Sequence, residues 1–518
     1  MAVIEYQPER FTDFRTEENY RAFMAALEKV QGELGRAYPL IISGDRIMSE
    51  QQFDSTNPAR PAQVIGRVAE TGRNHYEQAM QAAQGAFESW SRMDAKARAR
   101  VLLKAAANLR RRKHEFSALL VLEVGKTWPE ADADTAEAID FLEFYAREMV
   151  RLDLQQRLTR VPGEDNELMY VPLGVGAIIP PFNFPLAIAC GMAASAIVAG
   201  NTVLLKPAVP APVIGFRLVE LLEEAGLPPG VVSYLPSSGP EVGKWMVSDA
   251  RTRFISFTGS REVGVQIYEA AARVAAGQKH LKRVIAEMGG KDCIVVAEDA
   301  DPMAAAAGIV ASAFGYQGQK CSACSKAIIH ETLYDQVLEM AVTLTDRLKV
   351  GDPIDLDVNM GPQAGKHYYD RVLKYIEIGK QEGRLVAGGG PLQTDSGGYF
   401  IRPTIFADVD PHARIAQEEI FGPVLAFHKV PDFRTGIAVA NDTEYGLTGA
   451  VYTRNRAYIE YARREYHVGN LYINRKCTGA LVGVHPFGGF KMSGTDSKAG
   501  GHDYLTLFVQ AKSISEYL

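Results

Sequence analysis

The pattern of hydrophobic and polar positions changes near residue 171 of this chain. Before it, apolar side chains recur at spacings of three and four in segments that begin at Thr16, Arg73 and Thr135. Such spacing is typical of amphipathic helices. Short extended pieces such as "YPLIISGDRI" lie between them. The front of the chain is therefore predicted to form a helical layer around another structure.

From Val171 to residue 290, short apolar segments alternate with helical ones. The five apolar segments are "GVGAIIP", "NTVLLKP", "GVVSYLP", "RFISFTG" and "KRVIAEMG". Continuous apolar strands separated by helices are typical of a parallel sheet covered on both faces. The pattern predicts an α/β fold with a Rossmann-like parallel sheet and right-handed crossovers.

A second alternation begins near Lys291 with "DCIVVAE", "DPMAAAAGIVASAFGY" and "SKAIIHE". The glycines of "EMGGK" permit a sharp crossing between two domains. We predict one domain from residues 1–155 and 171–290, and a second α/β domain from 291–479. Residues 156–170 and 495–518 are assigned to an arm and tail, because "DYLTLFVQAKSISEYL" alternates like a strand that joins a neighbouring subunit's sheet.

Length and charge narrow the class of protein. A chain of 518 residues exceeds what one hydrophobic core usually serves, which also favours two or more domains. The net charge of -6 gives no positive field for phosphate backbones, so nucleic acid is not an expected partner. The basic cluster "LRRRKHEF" ends a helical pattern, and we interpret it as a solvated helix face.

The uncharged segment from Val171 to Leu205 is long enough to span a membrane, which takes roughly 20 residues. Pro180, Pro181 and Pro185 interrupt it, so we expect a strand, a loop, a buried helix and a second strand. The five cysteines are few and odd in number, which argues for a reducing compartment. Since no basic segment followed by an apolar one opens the chain, we predict no signal peptide, no membrane association and a cytoplasmic location.

Candidate chemistry lies at the ends of the predicted strands, because ligands of a doubly wound sheet bind beyond its carboxyl edge. In "FTGSREVG", Gly259 permits a tight turn, Ser260 caps a helix, and Gly264 leaves room for close approach. The amides of that helix start could bind a pyrophosphate, although a plain capped turn has the same pattern. Lys206 ends "NTVLLK", where it either reaches a cofactor hydroxyl or extends to solvent.

Asn183 and Glu287 also follow apolar strands. Asn183 lies in the proline-flanked loop "PPFNFP", where its amide could stabilise an oxyanion or satisfy the loop's own backbone. Glu287 ends "RVIAE", where partial burial would raise its pKa toward the range of a general base. An interdomain salt bridge is the alternative interpretation of Glu287.

Cys321 in "AFGYQGQKCSACSK" could be a metal ligand, half of a redox pair with Cys324, a nucleophile, or merely a small residue in a tight loop. A zinc site needs more ligands than the single C-x-x-C supplies, and no His or Cys cluster flanks it, so no metal is expected. A redox pair with Cys324 would stand at a helix start, whereas this motif precedes a strand. A nucleophile requires only a thiol pKa lowered by loop amides or a nearby cation, and a carbonyl brought to it.

Together these stretches resemble the NAD(P)-dependent aldehyde dehydrogenase family. Eight similar motifs occur in the family's order: "PFNFP", "GNTVLLKPA", "FTGS" with Gly264, "EMGGK", "GQKC", "EEIFGPV", "NDTEYGLTGAVYT" and "PFGGFKMSG". The set is far more specific than any single motif. The resemblance extends from about Pro39 to the tail. It implies that the first domain binds NAD(P), that the second is catalytic, and that the small β arm serves oligomerisation.

The resemblance also implies a role for each candidate residue. Cys321 would be the nucleophile, Glu287 the base that activates water, and Asn183 with the Cys321 amide the oxyanion hole. The implied cofactor is NAD, bound by Lys206, Gly259, Ser260, Gly264, Glu419 and Phe421. Many NAD-preferring members have a glutamate where Val209 stands, so we hypothesise that NADP is also accepted.

Further stretches, among them "YQGQKCSACSK" and "VGNLYINRKCTGALVGVHPFGGFKMSGT", resemble the group of this family that oxidises glutamate γ-semialdehyde in proline catabolism. That resemblance implies a substrate site formed by Ser322, Gly479, Ala480, Phe184, Phe487 and Glu137. The first three would anchor the carboxylate with a hydroxyl and backbone amides. The phenylalanines would enclose the aliphatic chain, and the glutamate would lie near the amino group. Each of these residues also has a structural interpretation, in a turn, a core or an exposed helix face.

Three alternative functions stay open. The enzyme could oxidise another semialdehyde, of succinate or aminoadipate. A cysteine esterase or acyl transferase would use Cys321 and Glu287 without a cofactor, and a non-catalytic scaffold would not need Cys321, Glu287 and Asn183 together. The expected partners are a small aldehyde with an amino-acid end, further copies of this chain in at least a dimer, and, as a further hypothesis, a proline dehydrogenase.

Overall fold

The fold is built from two seven-stranded sheets, a helical layer and several short sheets. The computed structural model describes residues 5–154 and 158–518. The helices are α1 Glu17–Gln31, α2 Arg73–Trp90, α3 Ala95–Arg111, α4 Lys113–Val124, α5 Trp128–Leu152, α6 Ala187–Val198, α7 Pro212–Glu224, α8 Glu241–Ser248, α9 Arg261–Ala272, α10 Pro302–Phe314, α11 Tyr334–Asp346, α12 Lys366–Glu382, α13 Arg414–Gln417, α14 Phe433–Asn441 and α15 Arg456–Glu465. The strands are β1 Arg36–Tyr38, β2 Leu40–Ile42, β3 Asp45–Ile47, β4 Gln52–Asn57, β5 Arg60–Ala69, β6 Glu164–Pro172, β7 Val175–Ile179, β8 Thr202–Leu205, β9 Val232–Tyr234, β10 Phe254–Thr258, β11 Arg283–Glu287, β12 Asp292–Val296, β13 Cys324–His330, β14 Arg384–Ala387, β15 Thr404–Ala407, β16 Val424–Val430, β17 Tyr445–Gly446, β18 Thr448–Tyr452, β19 Asn470–Ile473, β20 Phe490–Lys491 and β21 Val509–Tyr517.

The first large sheet has the strand order β11-β10-β7-β8-β9-β2-β3. Its five strands β7 to β11 pair in parallel, which confirms the predicted Rossmann-like sheet. The antiparallel hairpin of β2 and β3 extends the β9 edge. The strand order reverses between β7 and β10, and doubly wound sheets bind ligands beside such a point.

The uncharged segment after Val171 forms β7, a loop, helix α6 and β8, as the sequence predicts. Every position of α6 except Ile188 is buried, which explains why the helix has no polar face. Within the described residues, no helix is both long and apolar enough to cross a membrane.

The helical layer consists of α1 to α5, and one predicted helix start is wrong. Helix α5 begins at Trp128 rather than at Thr135. Pro129 in the first turn is preorganised for a helix start, because its missing N–H would have no partner there. Trp128 packs against Phe23, with ring centroids 4.2 Å apart. A long hairpin of β4 and β5 also lies in this region, where only short extended pieces were expected.

The basic cluster at residues 109–116 is only in part the solvated helix face that we predicted, because Arg110 and Arg111 are exposed but Lys113 is not. Lys113 is buried, with its ammonium 2.9 Å from Asp132. Arg110 pairs with Glu9 at 2.8 Å, and Arg112 pairs with the last residue of α7 at 3.0 Å. The acidic partners belong to segments remote in sequence, so the helical pattern could not reveal them.

The second large sheet has the order β14-β15-β16-β13-β12-β18-β19. All its neighbouring strands are parallel except β14 and β15. This is the α/β pattern predicted for the second alternation. The chain crosses from the first sheet to the second through Met288 to Lys291, between the end of β11 and the start of β12.

The tail strand β21 pairs antiparallel with β6 of the same chain, from Val509 opposite Pro172 to Tyr517 opposite Glu164. The sequence predicted a strand that joins a neighbour's sheet, and it did not indicate this internal partner. Most β21 side chains are exposed on both faces. The two strands therefore form a thin ribbon with little core of its own.

Candidate active site

The candidate nucleophile follows a strained turn between α10 and β13. Tyr316 and Gln317 both have left-handed backbone, with φ of 47° and 55°. Their side chains donate to remote carbonyls: the Tyr316 hydroxyl to the last residue of α4 at 2.9 Å, and the Gln317 amide to Gly125 at 3.0 Å and Pro362 at 2.9 Å. Such strain persists only where the surroundings over-determine it, and it is typical of functional sites. Cys321 comes shortly after this turn and is half-buried.

The thiol of Cys321 has a raised pKa, not the lowered one that we expected. Burial is the first cause, and the negative charges of Asp292, Glu419, Glu287 and Glu137 raise the pKa further. These carboxylates come from four separate segments, so the local sequence around the cysteine contains no sign of them. The thiol is therefore held protonated, and a base must remove its proton before it can act as a nucleophile.

Glu287 lies at the end of β11, with hydrogen bonds to both carboxylate oxygens. The Ser497 hydroxyl donates to Oε1, and the Gly489 amide donates to Oε2 at 3.3 Å. Burial raises the pKa of Glu287 to about 7, although these hydrogen bonds oppose the rise. A carboxylate with such a pKa exchanges protons readily near neutral pH, as a general base requires.

The two glycines between β11 and β12 allow the nucleophile loop and Glu419 to approach closely. A Cβ on Gly290 would lie 2.5 Å from the carbonyl oxygen of Cys321. A Cβ on Gly289 would collide with the Glu419 carboxylate, which accepts a hydrogen bond from the Gly290 amide at 3.0 Å. Burial raises the pKa of Glu419 to about 7. The motif "EMGGK" thus permits both a domain crossing and a close approach of catalytic candidates.

Asn183 lies in the loop that leads from β7 to α6 and is 2% exposed. No residue of the described chain forms a hydrogen bond with its side-chain amide, which leaves the amide free to donate to a bound oxyanion. The loop is fixed on both sides: Asp134 accepts from the Ala187 amide at 2.7 Å, and the Phe182 ring packs against Tyr368 with centroids 4.2 Å apart. The amide is therefore held in a rigid loop, as the proline-flanked motif suggested.

A buried charge network supports this loop, and the sequence analysis missed it. Lys126 and Asp134 are fully buried and pair at 3.1 Å. The Lys126 ammonium lies 3.6 Å from the centroid of the Phe184 ring, a cation–π contact. Lys320, next to the nucleophile, pairs with Glu130 at 2.7 Å. The clue in the sequence is charge inside an apolar helix, since α5 carries acidic residues on the face that it buries.

The cofactor candidates lie at the carboxyl edge of the first sheet. Lys206 follows β8 and is buried, which lowers the pKa of its ammonium. Gly259 and Ser260 follow β10, and the Ser260 hydroxyl accepts from the Val263 amide at 3.4 Å as the cap of α9. A Cβ on Gly264 would collide with Met288, so its lack of a side chain serves close packing.

These residues fit a dinucleotide. The first amides of α9 have no partner inside the helix and can receive a pyrophosphate. Lys206 supplies a cation at the end of the next strand but one, and Glu419 and Phe421 lie on the loop before β16. Phe421 has a left-handed φ of 60°, and its ring meets Phe182 edge to face at 5.7 Å.

The substrate candidates come from four segments: α5, the loop after β7, the nucleophile loop and the segment after β19. Ser322 follows the nucleophile and is buried, while Gly479 has a left-handed φ of 80° and precedes Ala480 in the loop after β19. Phe487 is half-buried and forms an isolated bridge with the tail segment. Glu137 is half-buried on α5 and not an exposed helix residue, and burial raises its pKa to about 8.

All five cysteines are free thiols. Among the residues described, no group of three or more His, Cys, Asp and Glu side chains is placed to hold a metal ion.

Comparison with known proteins identifies the family. Residues 47–514 match the model of the aldehyde dehydrogenase family. The chain is 61% identical to a 1-pyrroline-5-carboxylate dehydrogenase of Geobacillus thermodenitrificans over 514 residues, covering 99% of each chain. It superposes on 1-pyrroline-5-carboxylate dehydrogenase from Thermus with bound NAD with a TM-score of 0.98, 52% identity and full coverage of both chains.

A larger protein contains the same fold. Proline utilization A (PutA) from Bdellovibrio bacteriovorus superposes with a TM-score of 0.97 and 41% identity, covering 99% of this chain and 53% of that chain. The match to the family model and the identity to its members cover nearly the whole sequence. The chain belongs to the aldehyde dehydrogenase family.

Proposed function

We propose that this protein oxidises glutamate γ-semialdehyde, the open form of 1-pyrroline-5-carboxylate, to glutamate with NAD. The observation that carries the proposal is the close approach of the Cys321 loop to the crossing that follows Glu287, where a Cβ on Gly290 would lie 2.5 Å from the Cys321 carbonyl oxygen. The relatives support the substrate and the cofactor, since they are 1-pyrroline-5-carboxylate dehydrogenases and one of them was solved with bound NAD. The overall reaction consumes the aldehyde, one water and NAD, and yields the carboxylate, NADH and two protons.

In the first half of the reaction, Cys321 adds to the aldehyde carbon. Glu287, with a pKa of about 7, accepts the thiol proton. The Asn183 amide and the Cys321 N–H donate to the alkoxide that forms, which stabilises it in the transition state. When NAD is bound, it accepts hydride from the carbon. The carbon is then left as a thioester on Cys321.

In the second half, Glu287 first releases the thiol proton to solvent and then activates a water molecule. Its carboxylate takes a proton as the water attacks the thioester carbonyl, and the C–S bond breaks to restore the thiol. The same two donors stabilise the second oxyanion. One acid–base residue thus serves both halves, which agrees with a pKa near neutrality.

The cofactor and substrate ends of the site receive separate residues in this proposal. The α9 start at Gly259 and Ser260 binds the pyrophosphate, with Gly264 packed behind it, and Lys206 binds the adenosine ribose. Glu419 and Phe421 contact the nicotinamide ribose region.

At the substrate end, Ser322 and the amides of Gly479 and Ala480 anchor the α-carboxylate. Phe184 and Phe487 enclose the aliphatic chain. Glu137 meets the α-ammonium, and its raised pKa means that binding of this cation releases its proton.

The assembly and domain limits belong to the same proposal. The exposed ribbon of β6 and β21 and the apolar side chains exposed on α9 support a homo-oligomer of at least two copies. We also infer that residues 1–155 with 171–290 form the cofactor domain and 291–479 the catalytic domain. A proline dehydrogenase is a further candidate partner, because the Bdellovibrio protein that contains this fold is titled proline utilization A.

The test is a steady-state assay of the purified full chain. Glutamate γ-semialdehyde with NAD should raise the absorbance of reduced nicotinamide, and turnover should exceed that with succinate or aminoadipate semialdehyde. Cys321→Ala should abolish it. A variant without the thiol that still reduces NAD would refute the mechanism, and ester hydrolysis without any nicotinamide reduction would favour the cysteine esterase.

A further inference from the structure

A carboxylate stands at the cofactor edge of the first sheet without a role in the reaction. Glu70 follows β5, and the Ser238 amide donates to both of its carboxylate oxygens at 3.0 Å. The next residue, Thr71, donates to the carbonyl of Pro236 from its amide at 3.1 Å and from its hydroxyl at 2.7 Å. These bonds fix Glu70 to the segment that follows β9, beside the end of β8.

Glu70 is an electrostatic neighbour of Lys206, which follows β8. Burial lowers the pKa of the Lys206 ammonium, and the negative charge of Glu70 raises it. In the described part of the chain, no ion pair joins the two side chains within 4.0 Å. The cation and the carboxylate therefore interact electrostatically without forming an ion pair.

The position of these two side chains at the sheet edge indicates which part of a ligand they would contact. In dinucleotide-binding sheets of this kind, a carboxylate near the end of the second strand binds the ribose 2'-hydroxyl, whereas a cation there accommodates a 2'-phosphate. Among the parallel strands of this sheet, β7 is the first in chain order and β8 is the second. Strand β8 is followed by Lys206 and the exposed Val209. The end of β8 supplies a cation and no carboxylate. Glu70 supplies the carboxylate from the end of β5, a strand of another sheet.

We propose that Glu70 accepts a hydrogen bond from the 2'-hydroxyl of the adenosine ribose and disfavours a cofactor with a 2'-phosphate. The inference rests on the proposed function, since it requires a nicotinamide dinucleotide. It also sharpens the expectation drawn from Val209: NADP binds, but more weakly than NAD, because its phosphate meets the Glu70 charge. The selecting carboxylate comes from the end of β5 and not from the end of β8, where the family pattern has it.

The test measures dissociation constants of NAD and NADP for the full chain by isothermal titration calorimetry. Glu70→Gln keeps an oxygen for the Ser238 amide and loses only the charge. This variant should lower the dissociation constant of NADP about tenfold and raise that of NAD about threefold, as expected for the loss of one charged contact. Glu70→Lys should prefer NADP. Glu88→Gln removes an exposed carboxylate from α2 and should leave the ratio of the two constants unchanged.

Two further measurements keep the inference testable if a variant is unstable. The midpoint of thermal unfolding of Glu70→Gln should match that of the unmodified chain, because the glutamine oxygen still accepts the hydrogen bond from the Ser238 amide. In the unmodified chain, raising the salt concentration should narrow the ratio of the NADP and NAD constants, since salt screens the repulsion. A ratio that is unchanged in both variants overturns the role of Glu70. A protein that binds neither dinucleotide contradicts the proposed function itself.

Discussion

The two seven-stranded sheets contribute opposite edges to the candidate active site. Lys206, Gly259 and Ser260, which we propose bind the cofactor, follow strands of the first sheet, so they lie at its carboxyl edge, where open α/β sheets usually bind ligands. Cys321 and Glu419 precede β13 and β16, so they lie at the amino edge of the second sheet. The chain passes directly from one edge to the other between Glu287 and Asp292.

The two edges are also held in different ways. At the first, regular elements do the work: a strand ends, a turn follows, and a capped helix begins. At the second, a strained turn is fixed by bonds to α4, Gly125 and Pro362. The Asn183 loop, which follows β7 of the first sheet, is supported by a buried ion pair. We therefore expect changes on the catalytic side to cost more than changes on the cofactor side, and we order the predictions accordingly.

The largest expected effect comes from Lys126→Met, which removes one partner of the buried pair below Phe184. Asp134 would then be a buried charge without its cation, and breaking such a pair typically costs about 3 to 5 kcal/mol. The free energy of unfolding from chemical denaturation measures this loss. Lys104→Met is the matched control, because that lysine is exposed on α3, and it should change stability by less than about 0.5 kcal/mol.

The double variant Lys126→Met with Asp134→Leu separates charge from packing. Replacing a buried ion pair with apolar residues is often neutral, so the second change should recover much of the stability. If the double variant is as unstable as Lys126→Met, the uncompensated charge of Asp134 is not the cause of the lost stability. The catalytic loop would then depend on the Lys126 side chain itself.

The second prediction concerns Glu287. Since its pKa is raised to about 7, the carboxylate is ionised above that pH and protonated below it, so kcat/KM should fall as the pH decreases through about 7. Glu287→Gln should lower turnover by about 10³-fold and remove this acid limb. Glu123→Gln is a stringent control, because burial raises the pKa of Glu123 to about 7 as well, but its carboxylate bonds to the start of α7. If the acid limb also disappears in Glu123→Gln, the pH dependence reflects protonation of a structural carboxylate and not of the base Glu287.

The third prediction concerns the oxyanion donor. Asn183→Ala removes an amide that has no other hydrogen-bond partner among the described residues, so stability should change little. Loss of one such donor typically costs about 3 kcal/mol of transition-state stabilisation, or roughly 100-fold in kcat. Asn166→Ala, on the exposed ribbon, is the control for the substitution. Near-normal turnover of Asn183→Ala would remove Asn183 from the oxyanion hole.

The sequence predicted the cofactor side better than the catalytic side, for a physical reason. Strand ends, capping residues and glycine turns are local features, so "RFISFTGSREVG" already indicates β10, its turn and α9. The raised thiol pKa of Cys321 depends on carboxylates that only the folded chain brings together, and the local pattern gave the wrong direction. The pair of Lys126 and Asp134 was missed because a periodic helix pattern does not show which face is buried with charge.

The smallest expected effect tests the cofactor side, with Ser260→Ala. The Ser260 hydroxyl accepts from the Val263 amide at 3.4 Å, and loss of a helix cap typically costs about 1 kcal/mol. Looser amides at the α9 start should raise the dissociation constant of NAD severalfold, while kcat at saturating NAD stays the same. Asp301→Ala is the control, because Asp301 caps α10, the helix after β12, and accepts from two amides at 3.0 Å. It should destabilise the fold by a similar amount and leave the dissociation constant of NAD unchanged. Equal effects of both variants on NAD binding would mean that general stability, and not the α9 start, governs cofactor affinity.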